Sequence, residues 1–290
     1  MRLTLGRRAV LAGLALPGCA AARLAPRGRL TPLGLLELDT GAWGFGGFSG
    51  LHLAPDLTLT AVSDRGFWWQ ARLRLAPLGI GPARHGPLRD AAGRPLPSAA
   101  RDAEALVALL DGSWLVGFER RHRIGRYPRI DGPALAFAAP PGLAAAPSNG
   151  GLESLALLPD GRLLAIAESL GQDDERAAWI GRDGQWEART YRPASGFSPT
   201  DAVALGSGAL VLERDFSLFG GFRARLAHVA DLSRPVLVGE TWLDLPPDGP
   251  AENWEAIAMA RTGEGALLAL LSDDNESPFQ KTLLAVYRLG

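Results

Sequence analysis

Carboxylates recur in this 290-residue chain at fixed places within a repeated phrase. The clearest copy runs Asn149-Gly-Gly-Leu-Glu-Ser-Leu-Ala-Leu-Leu-Pro-Asp-Gly-Arg-Leu-Leu-Ala-Ile-Ala-Glu168. It holds an opening acid (Glu153), an apolar run, an Asp-Gly turn, a second apolar run and a closing acid. Glu104, Glu153, Asp201 and Glu255 open four such phrases, and Glu119, Glu168, Glu213 and Asp273 close them. The earliest copy opens on Ser49 instead of an acid and closes on Asp64.

If openers and closers converge, their chemistry is constrained. Like charges within about 4–6 Å raise one another's pKa and titrate as coupled groups, which suits general acid–base work. Glu104, Glu153 and Glu255 are the candidate catalytic carboxyls. His122, just past Glu119-Arg-Arg, is a candidate general acid. Two kinds of compensation are visible. Arg65, Arg120 and Arg214 directly follow Asp64, Glu119 and Glu213; a planar guanidinium pairs with such acids or grips phosphate oxygens as a substrate-binding group. The other is a hard cation. Ca²⁺ takes about 6–8 oxygen ligands, and the candidate donors are Asp64, Glu104, Glu119, Glu153, Glu168, Asp201, Glu213, Glu255, Asp273 and the Asn253 amide. A plainer reading stands beside these: a structural belt of acid–arginine pairs that ties strand ends together without a ligand.

The elements that must position these groups follow from the spacing. The openers lie 55, 49, 48 and 54 residues apart. A period of about fifty residues, carried by paired apolar strands joined at Gly-rich turns, predicts an all-β chain folded as a β-propeller. Five blades are expected, or six if one has lost its signature. Antiparallel pairing then returns each closing acid to the face where its opener starts. Outer strands are expected at Ala177–Gly181 and Trp186–Tyr191 in the third copy, and at Ala224–Val229 and Val236–Leu243 in the fourth. After the fifth hairpin only Thr282–Leu289 remains, so Leu33–Leu38 from the front of the chain is expected to complete that blade and close the ring. The single domain is expected over 27–290, as a monomer.

Residues 1–26 read as an export signal. Arg7-Arg8 resembles a twin-arginine pair, an apolar run from Ala9 to Leu16 follows, and small residues mark a cleavage zone. Leu16-Pro-Gly-Cys19 resembles a lipobox, so the expected location is the periplasm or, through a lipid anchor at Cys19, the membrane surface of a bacterial envelope. No transmembrane segment is expected. Cys19 is the sole cysteine, which excludes an internal disulfide and cysteine-based metal sites. His52, His85, His122 and His228 show no zinc spacing. Net charge is −1, so neither nucleic acid nor an anionic membrane is called for as a partner.

The ordered set of short motifs carries a resemblance. Gly47-Phe-Ser-Gly-Leu, Val62-Ser-Asp-Arg-Gly66, Asp102-Ala-Glu-Ala-Leu, Gly117-Phe-Glu-Arg, Gly151-Leu-Glu-Ser-Leu, Pro199-Thr-Asp-Ala-Val, Leu212-Glu-Arg-Asp215, Asn253-Trp-Glu-Ala-Ile and Ser272-Asp-Asp-Asn275 together resemble the phytase-like proteins described as having esterase-like activity of phytase. That resemblance covers nearly all of the chain after the leader. It implies a propeller and a calcium-assisted hydrolase of phosphoesters at the carboxylate mouth. Two other readings remain open beside it: a metal-assisted hydrolase of carboxylesters or lactones, and a binding propeller without catalysis.

Overall fold

The computed structural model describes residues 30–38, 45–245, 252–275 and 280–290. The leader and Cys19 lie outside the described residues.

Five sheets, antiparallel apart from one short added strand, are arranged as the blades of a propeller. Strand β1 (Leu30–Glu37) belongs to the last blade. The first blade holds β2 (Phe48–Leu53), β3 (Thr58–Ser63), β4 (Phe67–Leu75), β5 (Leu78–Ile80) and β6 (Arg84–Pro87). The second holds β7 (Ala103–Ala108), β8 (Trp114–Phe118), β9 (Arg123–Tyr127) and β10 (Leu135–Phe137). The third holds β11 (Leu152–Leu157), β12 (Leu163–Ala167), β13 (Arg176–Arg182) and β14 (Gln185–Arg192), and the fourth begins with β15 (Ser198–Leu205), β16 (Gly208–Ser217) and β17 (Gly221–Val229). The next strand, β18 (Val236–Val238), pairs in parallel with β14 of blade three, and β19 (Glu240–Leu245) completes blade four. The last blade is β20 (Trp254–Thr262), β21 (Gly265–Ser272) and β22 (Leu283–Leu289), with β1 on its outer edge.

Turn chemistry explains the hairpins at the heart of the first three blades. Asp56, Asp111 and Asp160 each accept, through Oδ1, the backbone N–H two residues on, at 3.0, 2.9 and 2.9 Å. The residue between is Gly112 or Gly161 at positive φ, and in the first blade it is Leu57 at φ 71°.

Packing explains why the inner strands are apolar on both faces. Each blade presses on its two neighbours, and one hydrophobic cluster lies at each of the five junctions. Phe48, Trp69 and Leu271 bridge blades one and five, and Val62, Trp68 and Phe118 bridge one and two. Leu115 and Trp179 bridge two and three, Ile166 and Val211 three and four, and Leu212 and Trp254 four and five. Every residue of β12 is buried in consequence.

The expectation of five blades is met, and β1 closes the ring as the front of the chain implied, with Leu30 opposite Leu289 and Glu37 opposite Leu283. One outer strand differs. The segment expected as a single strand, Val236–Leu243, splits at Gly239, where a Cβ would meet the Tyr191 hydroxyl and Ala227. Its first half therefore crosses to blade three.

Candidate functional site

Each inner strand carries a one-residue bulge near its start. Phe48 pairs with Ser63 but Gly50 with Val62, leaving Ser49 as the extra residue. The same skip leaves Glu104 in β7, Glu153 in β11, Thr200 in β15 and Glu255 in β20. A bulge re-aims a side chain out of the regular pleat, and here it does so five times around one axis. Just beyond the last paired residue of each second strand sit Asp64, Glu119, Glu168 and Asp273. Their N–H groups donate to the carbonyls of Gly47, Asp102, Gly151 and Asn253, each at 2.9 Å. In blade four the residue at this rung is Arg214, opposite Ser198.

The fourth copy is thus out of step with the sequence reading by one residue. Asp201 does not occupy the opening position and Glu213 does not occupy the closing one. Asp201 is buried, and its two oxygens accept the N–H groups of Ala202 at 2.8 Å and Ile257 at 2.9 Å, a tie between blades four and five. Glu213 is fully buried and accepts from the Tyr191 hydroxyl and from Arg225 Nε at 2.5 Å. Both are internal structural acids. Aligning the copies by acid type masked the register. The signal that could have found it was Arg214, which stands two positions after Leu212 as Glu168 stands two after Ile166.

The remaining acids do converge. Burial pushes Glu153 well above the usual carboxylate range, reinforced by Glu104, Glu168, Glu119 and Glu255. Burial likewise raises Glu104, with Asp102, Glu119 and Asp64 adding to it and the Ser49 hydroxyl, hydrogen-bonded to Glu104, opposing. Glu168 and Glu255 are raised by burial and restrained by Arg214. Asp273 is pushed up to about 7, chiefly by burial and then by Glu255. Among the described residues its buried Oδ1 has no hydrogen-bond partner.

Cations and amides complete the ring. Arg214 Nη1 donates to Glu255 Oε1 and to Asn253 Oδ1, both at 2.5 Å, and Nη2 lies 3.5 Å from Glu168. Arg120 pairs with Asp102. Arg65 donates to the Phe45 carbonyl at 2.6 Å and lies 3.7 Å from Asp274. The three arginines expected to grip substrate are therefore each engaged by a carboxylate of the mouth. Asp102, Glu104 and Glu119 bring one oxygen each within 4.8 Å of one another. Asp102 appeared in the sequence only as a neighbour of Glu104 and stands here as a full member of the cluster.

Glu119 also reaches across to blade three, where Oε1 accepts the N–H groups of Gly150 and Gly151 at 2.5 Å. A side chain at Gly151 would collide with His122, which packs beside this loop. His122 Nε2 lies 3.2 Å from the Ala146 carbonyl oxygen, so its proton is directed there.

Away from the mouth, the channel loses its polarity. A cavity of about 210 Å³ between the later halves of the inner strands is lined by Leu51, Leu106, Leu155, Val203 and Met259, with His52 among them. Burial depresses the His52 pKa to about 4, and its ring stands edge-on to Trp114 at 5.2 Å.

Fold and site together define a five-bladed propeller with a carboxylate-lined mouth. The chain belongs to the phytase-like family described as esterase-like activity of phytase, whose match spans residues 43–276. No curated protein matches it significantly. Among solved structures, virginiamycin B lyase from Staphylococcus aureus is 11% identical, with 89% of this chain and 99% of that chain covered and a TM-score of 0.49. The gluconolactonase XC5397 from Xanthomonas campestris is 14% identical, with 84% and 72% covered and a TM-score of 0.45. Those values bear on neither blade register nor chemistry.

Proposed function

We propose that this protein hydrolyses ester bonds at the carboxylate mouth, with neutral carboxylic esters or lactones as its substrates. Family membership supports ester chemistry in general. The choice of a neutral ester rests on one observation: Arg65, Arg120 and Arg214 are all held by acids or a backbone carbonyl, so no arginine of the set is presented to a phosphate dianion.

The donor set at Asp102, Glu104 and Glu119 fits a hard divalent cation such as Ca²⁺. It is all oxygen, its members lie within 4.8 Å, and the acids are crowded enough that a cation would relieve their mutual repulsion. When bound, such an ion supplies Lewis-acid polarisation. The chain's own groups do the rest. Glu153, whose carboxyl is raised by burial and by the acids around it, serves as the proton donor to the leaving oxygen. Asp273, poised near 7 with a bare buried oxygen, accepts a proton from water as the general base. Partial burial of these carboxyls strengthens each interaction.

Phosphoester hydrolysis is the second reading, favoured by the same donor set, since a cation there would supply positive charge that the engaged arginines do not. Purified protein assayed with p-nitrophenyl butyrate, a lactone and p-nitrophenyl phosphate, with calcium and with chelator, separates these readings. Turnover of the carboxylic substrates, lost in Glu153→Gln, is the expected result. Phosphate release alone would move the assignment to the second reading. Inactivity on every substrate would leave the mouth as a binding or structural belt.

A further inference from the structure

The strand that carries Arg214 does not stop at the mouth. Strands β16 and β17 continue past it as a hairpin in regular register, with Arg214 opposite Ala224, Asp215 opposite Arg223, Phe216 opposite Phe222 and Ser217 opposite Gly221. Side chains alternate across a strand. Glu213 and Asp215 face blade three: Glu213 meets Tyr191 and the Ala194 N–H, and Arg223, the partner of Asp215, lies over Phe197. Arg214 faces the other way, toward Asn253 and Glu255. Phe216 therefore lies on the same strand face as Arg214, two residues and roughly 6–7 Å farther along. It stacks on Phe222 with ring centroids 4.8 Å apart.

The rest of the hairpin is as apolar and as exposed. Phe216 is 55% exposed, Leu218 87% and Phe219 104%. These side chains add nothing to any blade junction. A paired base presents them all the same, through the Asp215–Arg223 ion pair and the Gly220 N–H donating to Ser217 Oγ at 2.9 Å. An apolar fin beside a highly charged mouth marks a binding surface.

We propose that this hairpin is an apolar subsite that receives the acyl or aryl portion of an amphiphilic ester while the ester group lies at the carboxylate ring. The proposal rests on the ester-hydrolase reading and names the substrate class for it. Continuity carries it: one face of one strand leads from the guanidinium that engages the ring to the exposed aromatic pair.

The double variant L218S/F219S tests it, because both residues lie outside the packed core and their loss leaves the blades intact. In the unaltered protein, kcat/KM for p-nitrophenyl esters should rise from acetate through butyrate to decanoate, by up to about fourfold for each methylene that reaches the hairpin. In the variant the decanoate-to-acetate ratio should fall at least tenfold, mainly through KM, with the melting temperature held. Calorimetric binding of neutral 1-decanol against 1-butanol gives a second readout that needs no turnover. Decanol should bind the unaltered protein at least tenfold more tightly than the variant. If no ester is hydrolysed but decanol binding follows this pattern, the reaction is misassigned and the subsite stands. Equal ratios and equal decanol affinity in both proteins would overturn the subsite. So would a variant whose only change is loss of self-association or of binding to phospholipid vesicles, which would assign the fin to a second copy or to a lipid surface.

Discussion

Replacing Arg214 by glutamine should make stability fall with rising pH. Arg214 is the one cation at a closing position of the ring, 2.5 Å from Glu255 and 3.5 Å from Glu168. Without it those two acids keep their burial and lose their counter-charge. Breaking a buried ion pair from one side costs about 3–5 kcal/mol. The Arg214 side chain is 23% exposed, so solvent screening reduces the loss to about 2–3 kcal/mol. The sign follows from the protons. Folded Glu168 and Glu255 already titrate above the ordinary value, and removing Arg214 raises them further. Below the unfolded value of about 4.3 both states are protonated and the penalty vanishes. It develops as pH climbs from there through the folded values. Urea unfolding in chelator, followed by tryptophan fluorescence at pH 4.5 and pH 8, measures it. R214Q should match or exceed the unaltered protein at the lower pH and lose about 2–3 kcal/mol at the higher, or roughly 5–10 °C in Tm. Arg214→Lys should recover part of the loss. A deficit equal at both pH values, or none at pH 8, would refute the role of Arg214 as the ring's resident counter-charge.

Further outcomes follow from the same geometry. Calcium at a hundred times its dissociation constant should stabilise the folded protein by about 2.7 kcal/mol, and Glu104→Gln should abolish the shift in a thermal titration. Asp201 should behave as a structural acceptor: Asp201→Ala, which orphans the Ile257 N–H, should cost about 1–3 kcal/mol, whereas Asp201→Asn should fold with calcium response intact. Asp273 contributes its own pH dependence. Raised from 3.8 to about 7, it penalises the folded state by up to about 4 kcal/mol, a penalty absent below pH 4 and complete above pH 7. Chelated protein should therefore lose stability across that window, and Asp273→Asn should flatten the loss seen in denaturant titrations.

The architecture was legible because it is written several times over. An Asp-Gly turn between apolar runs specifies a hairpin wherever it occurs, and repetition every fifty residues or so leaves few folds besides a propeller. Ser49, Glu104, Glu153 and Glu255 were placed correctly for the same reason. What was not legible was register in the fourth copy. A bulge adds a residue without changing hydrophobic pattern, and an acid one position along looks the same in a list of letters. Asp201 and Glu213 consequently passed as mouth residues although one ties backbone to backbone and the other neutralises Arg225. The occupation of the arginines also escaped, because adjacency to an acid in sequence does not reveal which acid a guanidinium reaches in space. Arg120 follows Glu119 yet pairs with Asp102, and Arg214 follows Glu213 yet pairs with Glu255.

Strand β1 has a consequence for the order of events in synthesis. Its partner β22 lies at the far end of the propeller's sequence, so the ring is zipped shut by an early strand against a late one. Until Leu283–Leu289 leaves the ribosome, the apolar edge of β21 and the inner face of Phe48 and Trp69 have only part of their cover. Closure is thus a late, non-local event, of the kind that is slow and leaves strand edges open to wrong partners in the meantime. Proteolysis of a released chain truncated before Leu283 should find it soft throughout blades one and five. Restoring Leu283–Leu289 should harden both at once.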